Sequence, residues 1–308
     1  MTLERAFLQA ILETPEEDGP RLVFADWLED QGDADRAEFI RLRIQSYHDS
    51  AIGRRNLPRS ASLLEANWSR WVTPLSRWVT ARGARCHEFW LGSRGRAHSP
   101  EVVKQFPRGF VNALHLDAGP LLDHAEEIFR LAPVSILKIS GACTFADELA
   151  RCPQLEWIRW LEFADYFSDP LDEPGLVALV TSPHFKRLRA LILHRNNLGD
   201  RGVQALARAP WMRTLERLDL TDNGLSSEGL AALAASRHPQ RLRLLILDRN
   251  DLTDAHLECL AASPWLHHLT HLSLLGTAVT THGARLLRRA HAGLTVVFPG
   301  GSSSPEVA

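Results

Sequence analysis

A leucine-containing pattern recurs four times in this chain at a constant spacing, and this period constrains the fold more than any other feature. The first copy, LRALILHRNNL, starts at Leu188, and later copies start at Leu215, Leu242 and Leu269. The steps 215−188, 242−215 and 269−242 all equal 27. A unit this short cannot bury a core alone, so copies at a fixed period are expected to stack on one another.

Each copy has the pattern of a strand followed by a helix. Leu191 and Leu193 alternate with other residues, which places both on one side of an extended strand. Apolar residues then recur at helical spacing in residues 202–207, 229–234 and 257–261. A proline follows each of these stretches, where a helix cannot continue: Pro210, Pro239 and Pro264.

The fixed positions of the pattern are L-x-x-L-x-L-x-x-N-x-L. Its asparagine is Asn196, Asn223 or Asn250 in the first three copies and is replaced by Thr277 in the fourth. The pattern resembles the leucine-rich repeats of the ribonuclease-inhibitor-like class. This resemblance implies an α/β fold, namely a right-handed solenoid with a parallel concave sheet and convex helices. Since such proteins offer a long sheet to a partner, it also implies binding rather than catalysis.

Weaker copies extend the repeats toward the N-terminus. They keep the strand and lose the asparagine, and they start at Val111, Val134 and Leu155. In the third of these copies the strand pattern is Leu155-x-x-Ile158-x-Trp160, and the step to the next copy is longer than the others, at 188−155 = 33. Residues 294–298 have the pattern of a last strand. The repeats are therefore predicted over residues 107–299, with a flexible tail over 300–308.

Residues 1–45 form a different pattern, with three short helices that each carry one apolar face. Residues 24–29 (FADWLE), 36–40 (RAEFI) and 107–111 (PRGFV) carry a resemblance to the small repeat-companion domain of bacterial repeat proteins. The resemblance implies a bacterial cytoplasmic protein and carries no catalytic role. Residues 46–106 are interpreted as a connecting and N-terminal capping region, with a helix over 63–75 and a strand over 88–91.

Composition excludes several classes of partner. The 35 Lys and Arg residues nearly balance 37 Asp and Glu residues, so no general field for nucleic acid or a membrane surface is expected. The chain contains no apolar run of about 18 residues, the length that crosses a membrane. Its first residues lack the basic-then-apolar order of a signal peptide. The sequence thus predicts a cytoplasmic protein that is monomeric when alone.

The sequence contains none of the common catalytic or metal-binding signatures. The sequence lacks the GxxxxGK[ST], GxGxxG, HExxH and GxSxG motifs, so the common phosphate, dinucleotide, zinc-protease and hydrolase sites are not indicated. Among fourteen histidines, His267, His268, His271 and His282 lie near one another in sequence. Their repeat positions point them in different directions, so no metal site, cofactor or enzymatic activity is predicted.

The concave face is the predicted binding site. In L-x-x-L-x-L the third and fifth positions point away from the core, and neighbouring strands align them about 4.8 Å apart. The candidate partner-binding residues are Trp157, Arg159, Ile192, His194, Arg217, Asp219, Leu244, Ile246 and His271. An apolar patch rimmed by charged residues is typical of an interaction site. Two rows of side chains alternate in charge, Arg195/Asp222/Arg249 and Arg189/Glu216/Arg243. These rows are interpreted as structural pairs between repeats, with ligand binding as the alternative.

The sequence therefore predicts a non-enzymatic module that binds a protein partner through the concave face. The alternative is a regulator or substrate of a separately encoded effector, such as a protease, which the repeats would dock. The identity of the partner does not follow from the residues.

Overall fold

The computed structural model of the chain describes residues 2–76, 106–163 and 170–303. Its helices are α1 (Leu3–Glu13), α2 (Gly19–Asp30), α3 (Ala34–His48), α4 (Ser50–Ala66), α5 (Trp68–Trp71), α6 (Thr73–Ser76), α7 (Ala118–Leu131), α8 (Ala146–Arg151), α9 (Asp172–Val180), α10 (Gly199–Leu206), α11 (Ser227–Ala235), α12 (Leu257–Ala261) and α13 (Thr281–Ala290). Its strands are β1 (Ala113–Asp117), β2 (Ile136–Ser140), β3 (Trp160–Phe163), β4 (Ala190–Ile192), β5 (Arg217–Asp219), β6 (Leu244–Ile246), β7 (His271–Ser273), β8 (Thr295–Phe298) and β9 (Gly301–Ser303).

Strands β3 to β9 lie side by side in chain order in one sheet. Neighbouring strands from β3 to β8 are parallel, and β9 is antiparallel to β8. A buried leucine at the centre of each short strand lies in register with the next, and these residues are Leu191, Leu218, Leu245 and Leu272. The fold is thus a mixed α/β fold, consistent with the leucine-rich-repeat resemblance.

Two compact units divide the chain, Met1–Lys138 and Ile139–Ala308. In the first unit an apolar core joins α1, α2 and α3, and Phe110 is buried with Leu8, Phe24 and Ile40. Gly109 adopts a positive φ of 89°, and a Cβ at this position would lie 2.7 Å from the Ile40 Cα. The segment that leads into β1 therefore packs directly on the N-terminal helices.

Arg108 extends this contact within the first unit. Its guanidinium lies 4.1 Å from the centre of the Tyr47 ring and donates to the Pro15 carbonyl at 2.8 Å. One of its nitrogens is also 3.3 Å from the Asp18 carboxylate. Arg108, from the predicted repeat region, therefore contacts residues of both preceding regions: Pro15 and Asp18 of region 1–45, and Tyr47 of region 46–106.

The region predicted to connect and cap the repeats begins with α4, which packs on α3. Arg59 donates to the Glu38 carboxylate at 2.8 Å, and Asn67 donates to Asp35 at 3.0 Å. One helix was expected over 63–75, and the structure instead has three, because α4 ends at Ala66 and is followed by the short helices α5 and α6. The strand expected over 88–91 lies outside the described residues.

The repeats of the second unit bury the leucines that their pattern predicts. In the copy that starts at Leu215, the side chains at 215, 218, 220 and 225 are all fully buried. The predicted outer helices are confirmed as α10, α11 and α12, which occupy the segment between one strand and the next. Strands β1 and β2 also confirm the weaker copies that start at Val111 and Val134.

The third weaker copy was placed three positions too early. Strand β3 begins at Trp160, and its Leu161 pairs with Leu191 of β4. The strand positions are therefore Leu161 and Phe163, and the step from this strand to the next is 191−161 = 30. The error arose because Leu155 and Ile158 are also buried, yet Leu155 belongs to a 3-10 turn at Pro153–Trp157 that precedes the strand.

The outer helices are tied together by two aspartates that lie two repeats apart (254−200 = 54). Asp200 at the start of α10 accepts from the backbone N–H groups of Ser226 and Gly229 at 2.8 and 2.9 Å, so it caps α11. Asp254 accepts in the same way from Thr280 at 2.8 Å and caps α13. A side-chain carboxylate near a helix N-terminus satisfies N–H groups that lack helical partners.

At the C-terminal end, the structure extends past the predicted limit of the repeats. Gly301–Ser303 forms β9, which pairs with β8 through Phe298 and Gly301. Residues 304–308 of the expected tail lie outside the described part of the chain.

Candidate functional site

A buried asparagine fixes the turn after each strand. The Asn223 side-chain amide donates to the Leu193 carbonyl of the preceding repeat at 2.8 Å and to the Thr221 carbonyl at 3.1 Å. Its oxygen accepts from the backbone N–H of Asn196 at 3.0 Å. Since a buried amide can both donate and accept, one residue satisfies the backbone of two repeats. These bonds hold the side chains around each turn in a defined position.

The residue before each of these asparagines has a left-handed backbone. Arg195, Asp222 and Arg249 have φ values of 58°, 56° and 55°, and Gly276 has 69° at the same position of the fourth repeat. A positive φ is costly for residues with a Cβ and is typical of glycine. Three charged residues therefore occupy a position for which glycine is the least strained choice. Strain of this kind is common at functional sites.

The side chains flanking each central leucine of β4–β7 form what we call the outward face: Ala190, Ile192, Arg217, Asp219, Leu244, Ile246, His271 and Ser273. Successive residues of a strand point to opposite sides, so these side chains lie opposite the buried leucines. Accessibility increases along the face, because Ala190 and Ile192 are buried, the residues of β5 and β6 are partly exposed, and His271 is exposed. The apolar residues on the accessible part are Leu244 and Ile246, both on β6.

Arg217 connects two strands that are not neighbours. Its guanidinium carbon lies 5.1 Å from the centre of the Trp160 ring, although β4 lies between β5 and β3. Ala190 is the residue of β4 that is in register with both. A small side chain there leaves room for the guanidinium to reach the indole, where a cation is attracted to the ring face. Arg217 is thus held in place before any partner arrives.

Within the described part of the chain, the Arg217 Nε and the Trp160 Nε1 are buried and have no hydrogen-bond acceptor. A buried donor without an acceptor costs free energy, on the order of 1–3 kcal/mol. Both donors belong to side chains that meet on the sheet face.

Acidic side chains at the C-terminal edge of the outward face are also fixed. The Asp219 carboxylate accepts from the Thr221 hydroxyl at 2.6 Å, and the Asp248 carboxylate accepts from the Ser273 hydroxyl at 2.6 Å. A cleft of about 530 Å³ opens along this edge, lined by His194, Arg195, Asp219, Thr221, Asp248, Arg249, Leu275 and Gly276. Leu275 is 44% exposed and adds an apolar side chain near β6.

The structure brings most of the predicted binding residues together and separates two of them. Ile192, Arg217, Asp219, Leu244, Ile246 and His271 lie on the outward face, and His194 lies in the turn that follows β4. Trp157 and Arg159 do not lie on it, because both precede β3. Trp157 ends the 3-10 turn, and the Arg187 guanidinium lies 4.6 Å from the centre of its ring. Trp160 and Glu162 occupy the corresponding positions of β3 instead.

Sequence reasoning missed Trp160 and Glu162 because the repeat was read three positions early. The signal that could have found them is the pair Leu161 and Phe163, which has the spacing of Leu191 and Leu193.

Ion pairs connect charged side chains of neighbouring repeats, at 3.1 Å between Arg189 and Glu216 and at 3.1 Å between Arg195 and Asp222. These pairs confirm the structural interpretation for these neighbours. Exposed pairs of this kind contribute about 0–1 kcal/mol.

The described residues do not form a recognisable nucleophile site or metal site. Burial raises the pKa of the Cys152 and Cys259 thiols, which opposes formation of the reactive thiolate. The His267 and His268 rings lie 3.9 Å apart, and partial burial, His267 and Arg243 lower the pKa of His268. Among the residues that the structure describes, no three His, Cys, Asp or Glu side chains are grouped as metal ligands.

Within the same residues, no helix combines the length and the apolar character needed to cross a membrane. A search of curated proteins gave no match to the chain. The sequence profile of the family described as Leucine Rich repeat matches residues 187–207 and 212–234, which supports a leucine-rich-repeat protein. Proteins with such repeats generally mediate protein–protein interaction and are typically non-enzymatic.

Proposed function

We propose that this protein is a non-enzymatic interaction module that binds a protein partner through the outward face of its sheet. The observation that carries the proposal is the pair Leu244 and Ile246, which places two partly exposed apolar residues side by side on one strand. On the strands to either side, the equivalent positions hold Arg217 and Asp219, and His271 and Ser273. An apolar centre with a polar rim is the usual composition of a protein interface.

The fixed geometry of the rim supports the same proposal. Arg217 is held by the Trp160 ring, and Asp219 is held by the Thr221 hydroxyl. Side chains that are already ordered lose little conformational freedom when a partner binds, which improves affinity. Arginine and tryptophan are also frequent among the residues that contribute most to binding.

The experiment compares partner capture by the intact protein and by Leu244→Glu/Ile246→Glu. The double variant should have the melting temperature of the intact protein, because neither side chain belongs to the buried leucine rows. It should no longer capture the partner protein. Burying two carboxylates in an apolar contact is costly. Val177→Glu is the matched control, since Val177 is 43% exposed on α9, away from the outward face.

Glu228→Lys and Glu258→Lys serve as additional controls, because both residues are exposed on α11 and α12. Loss of capture in these controls, with capture unchanged in the β6 double variant, would place the partner on the helices and contradict the proposal. A captured protease that cleaves the protein would support the alternative of an effector substrate.

A further inference from the structure

A second concavity lies in the same unit, at the ends of the helices rather than on the sheet. We call it the helix-end cavity. It has a volume of about 660 Å³ and is bounded by Val180 at the end of α9, by Ala205 in α10 and by the following residues Ala209, Pro210 and Trp211. This volume falls within the range of about 300–1,000 Å³ that is usual for ligand sites.

The floor of the helix-end cavity is rigid. Trp211 is 6% exposed, and its indole N–H donates to the Val180 carbonyl at 3.1 Å. The Phe185 ring packs edge-on against it, with ring centres 5.5 Å apart. Since the indole is fixed by a hydrogen bond and by ring packing, the cavity exists without a ligand.

The rim of the cavity is positively charged. Lys186, Arg208 and Arg213 line it, and no acidic residue is among its lining residues. All three are exposed. Over the part of the chain that the structure describes, none of the three forms an ion pair, although Arg213 donates to the Pro210 carbonyl at 2.8 Å. Their positive charge therefore remains available to a ligand.

The tryptophan anchor itself does not require these cations. Trp265 lies two repeats further on (265−211 = 54), and its indole N–H donates to the Leu233 carbonyl at 3.3 Å in an equivalent arrangement. At the same offset from Lys186, Arg208 and Arg213, the sequence holds Gln240, Ala262 and His267. The same anchor thus forms there without lysine or arginine at these positions. A structural role for the tryptophan does not explain the charged rim.

We infer that the helix-end cavity binds an acidic peptide segment of a partner protein, with one apolar side chain inserted against Ala205, Ala209 and Pro210 and carboxylates on the cationic rim. An apolar floor with cations at its edge is complementary to such a segment. Single-stranded nucleic acid fits less well, because stacking needs an open aromatic face and that of Trp211 is almost completely buried. This site is separate from the outward face and does not depend on it.

The test uses the intact protein and the fluorescein-labelled peptide Asp-Glu-Phe-Leu-Glu-Asp, followed by fluorescence anisotropy. We expect saturable binding that weakens at least tenfold when alanines replace the two apolar residues of the peptide, and also when lysines replace its acids. Arg208→Glu/Arg213→Glu should weaken binding at least tenfold, because it reverses the charge of the rim. Arg201→Glu, which changes an exposed residue of α10 outside the lining, should leave binding unchanged.

Ala205→Trp provides a second variant that keeps all three cations and fills the cavity, and it should also weaken binding at least tenfold. Circular dichroism melting verifies that each variant is folded. Binding should be unchanged in Leu244→Glu/Ile246→Glu, which separates this site from the outward face. The inference is overturned by absence of saturable binding, by equal affinity for the lysine peptide, or by unchanged affinity in both cavity variants. Stronger binding of laurate or of an oligothymidylate probe would also overturn it in favour of a small amphiphile or nucleic acid.

Discussion

The backbone N–H of Asn223 donates to the Oδ1 atom of Asn250 at 3.1 Å, so each of these buried asparagines serves the turn of the repeat before it. Asn250 also accepts from the Leu225 N–H at 3.0 Å and donates to the Leu220 carbonyl at 2.9 Å. In the fourth repeat the Thr277 hydroxyl donates within its own repeat, to the Leu274 carbonyl at 2.6 Å. The asparagines therefore connect repeats as well as closing turns.

Replacing Asn223 should destabilise the protein by about 1–3 kcal/mol, because Asn223→Ala leaves buried backbone groups in two repeats without partners. The measurement is urea denaturation followed by circular dichroism. Asn197→Gly is the matched control, since Asn197 is exposed and has a φ of 51° that glycine adopts without strain. Equal unfolding midpoints for the two variants would show that the buried asparagine is not what joins the repeats.

Relief of backbone strain at Arg249 should stabilise the protein. At a φ of 55°, Arg249→Gly should be more stable than Arg249→Ala by about 1 kcal/mol, because only glycine adopts this conformation at little steric cost. Comparison with alanine removes the contribution of the arginine side chain from the difference. Thermal unfolding of both variants would measure it, and identical melting temperatures would contradict strain at this position.

Stability should depend on pH through Asp200. Partial burial acts to raise the pKa of Asp200, but hydrogen bonds from Ser226 and Gly229 outweigh it and hold the pKa below its ordinary value. A depressed carboxylate pKa stabilises the fold above the pKa of the unfolded chain, about 3.9, and this contribution disappears as pH falls through the lower folded value. The stability difference between the wild type and Asp200→Asn should therefore shrink below about pH 4.

This pH dependence is measured by chemical denaturation at several pH values from neutral to acid. Asp251→Asn, at an exposed residue of the same unit, is the control and should show no comparable change. A stability difference for Asp200→Asn that is constant over this range would mean that its carboxylate charge does not stabilise the helix N-terminus.

Gly109 tests the packing of the first unit. Gly109→Ala should cost about 1–3 kcal/mol more than Gly32→Ala, because its Cβ would overlap the Ile40 backbone. Both glycines have a positive φ, of 89° and 85°, but a Cβ at Gly32 would meet no atom within 4 Å. The shared backbone strain cancels in the comparison. Equal destabilisation would show that residues 106–110 do not pack tightly on α3.

The repeats could be predicted from sequence because their determinants are local and recur. Leucines at alternating positions, an asparagine at each turn and prolines after the helices identify each unit within a single period of the pattern. The outward positions of β4 to β7 followed directly from this spacing, since strand side chains alternate. The same argument failed at β3, where Leu155 and Ile158 are buried as the strand residues are, and only pairing with β4 distinguishes them.

The period, the buried leucine rows and the position of the apolar pair Leu244 and Ile246 can all be read from the residues alone. Three other features became visible only in the folded chain: Arg217 reaches across Ala190 to Trp160, Phe110 belongs to the core of α1–α3, and Trp211 forms the floor of a cavity with a cationic rim. A repeat pattern is set by contacts at fixed short spacing along the chain. These other relationships join residues of different elements, whose proximity depends on packing in three dimensions.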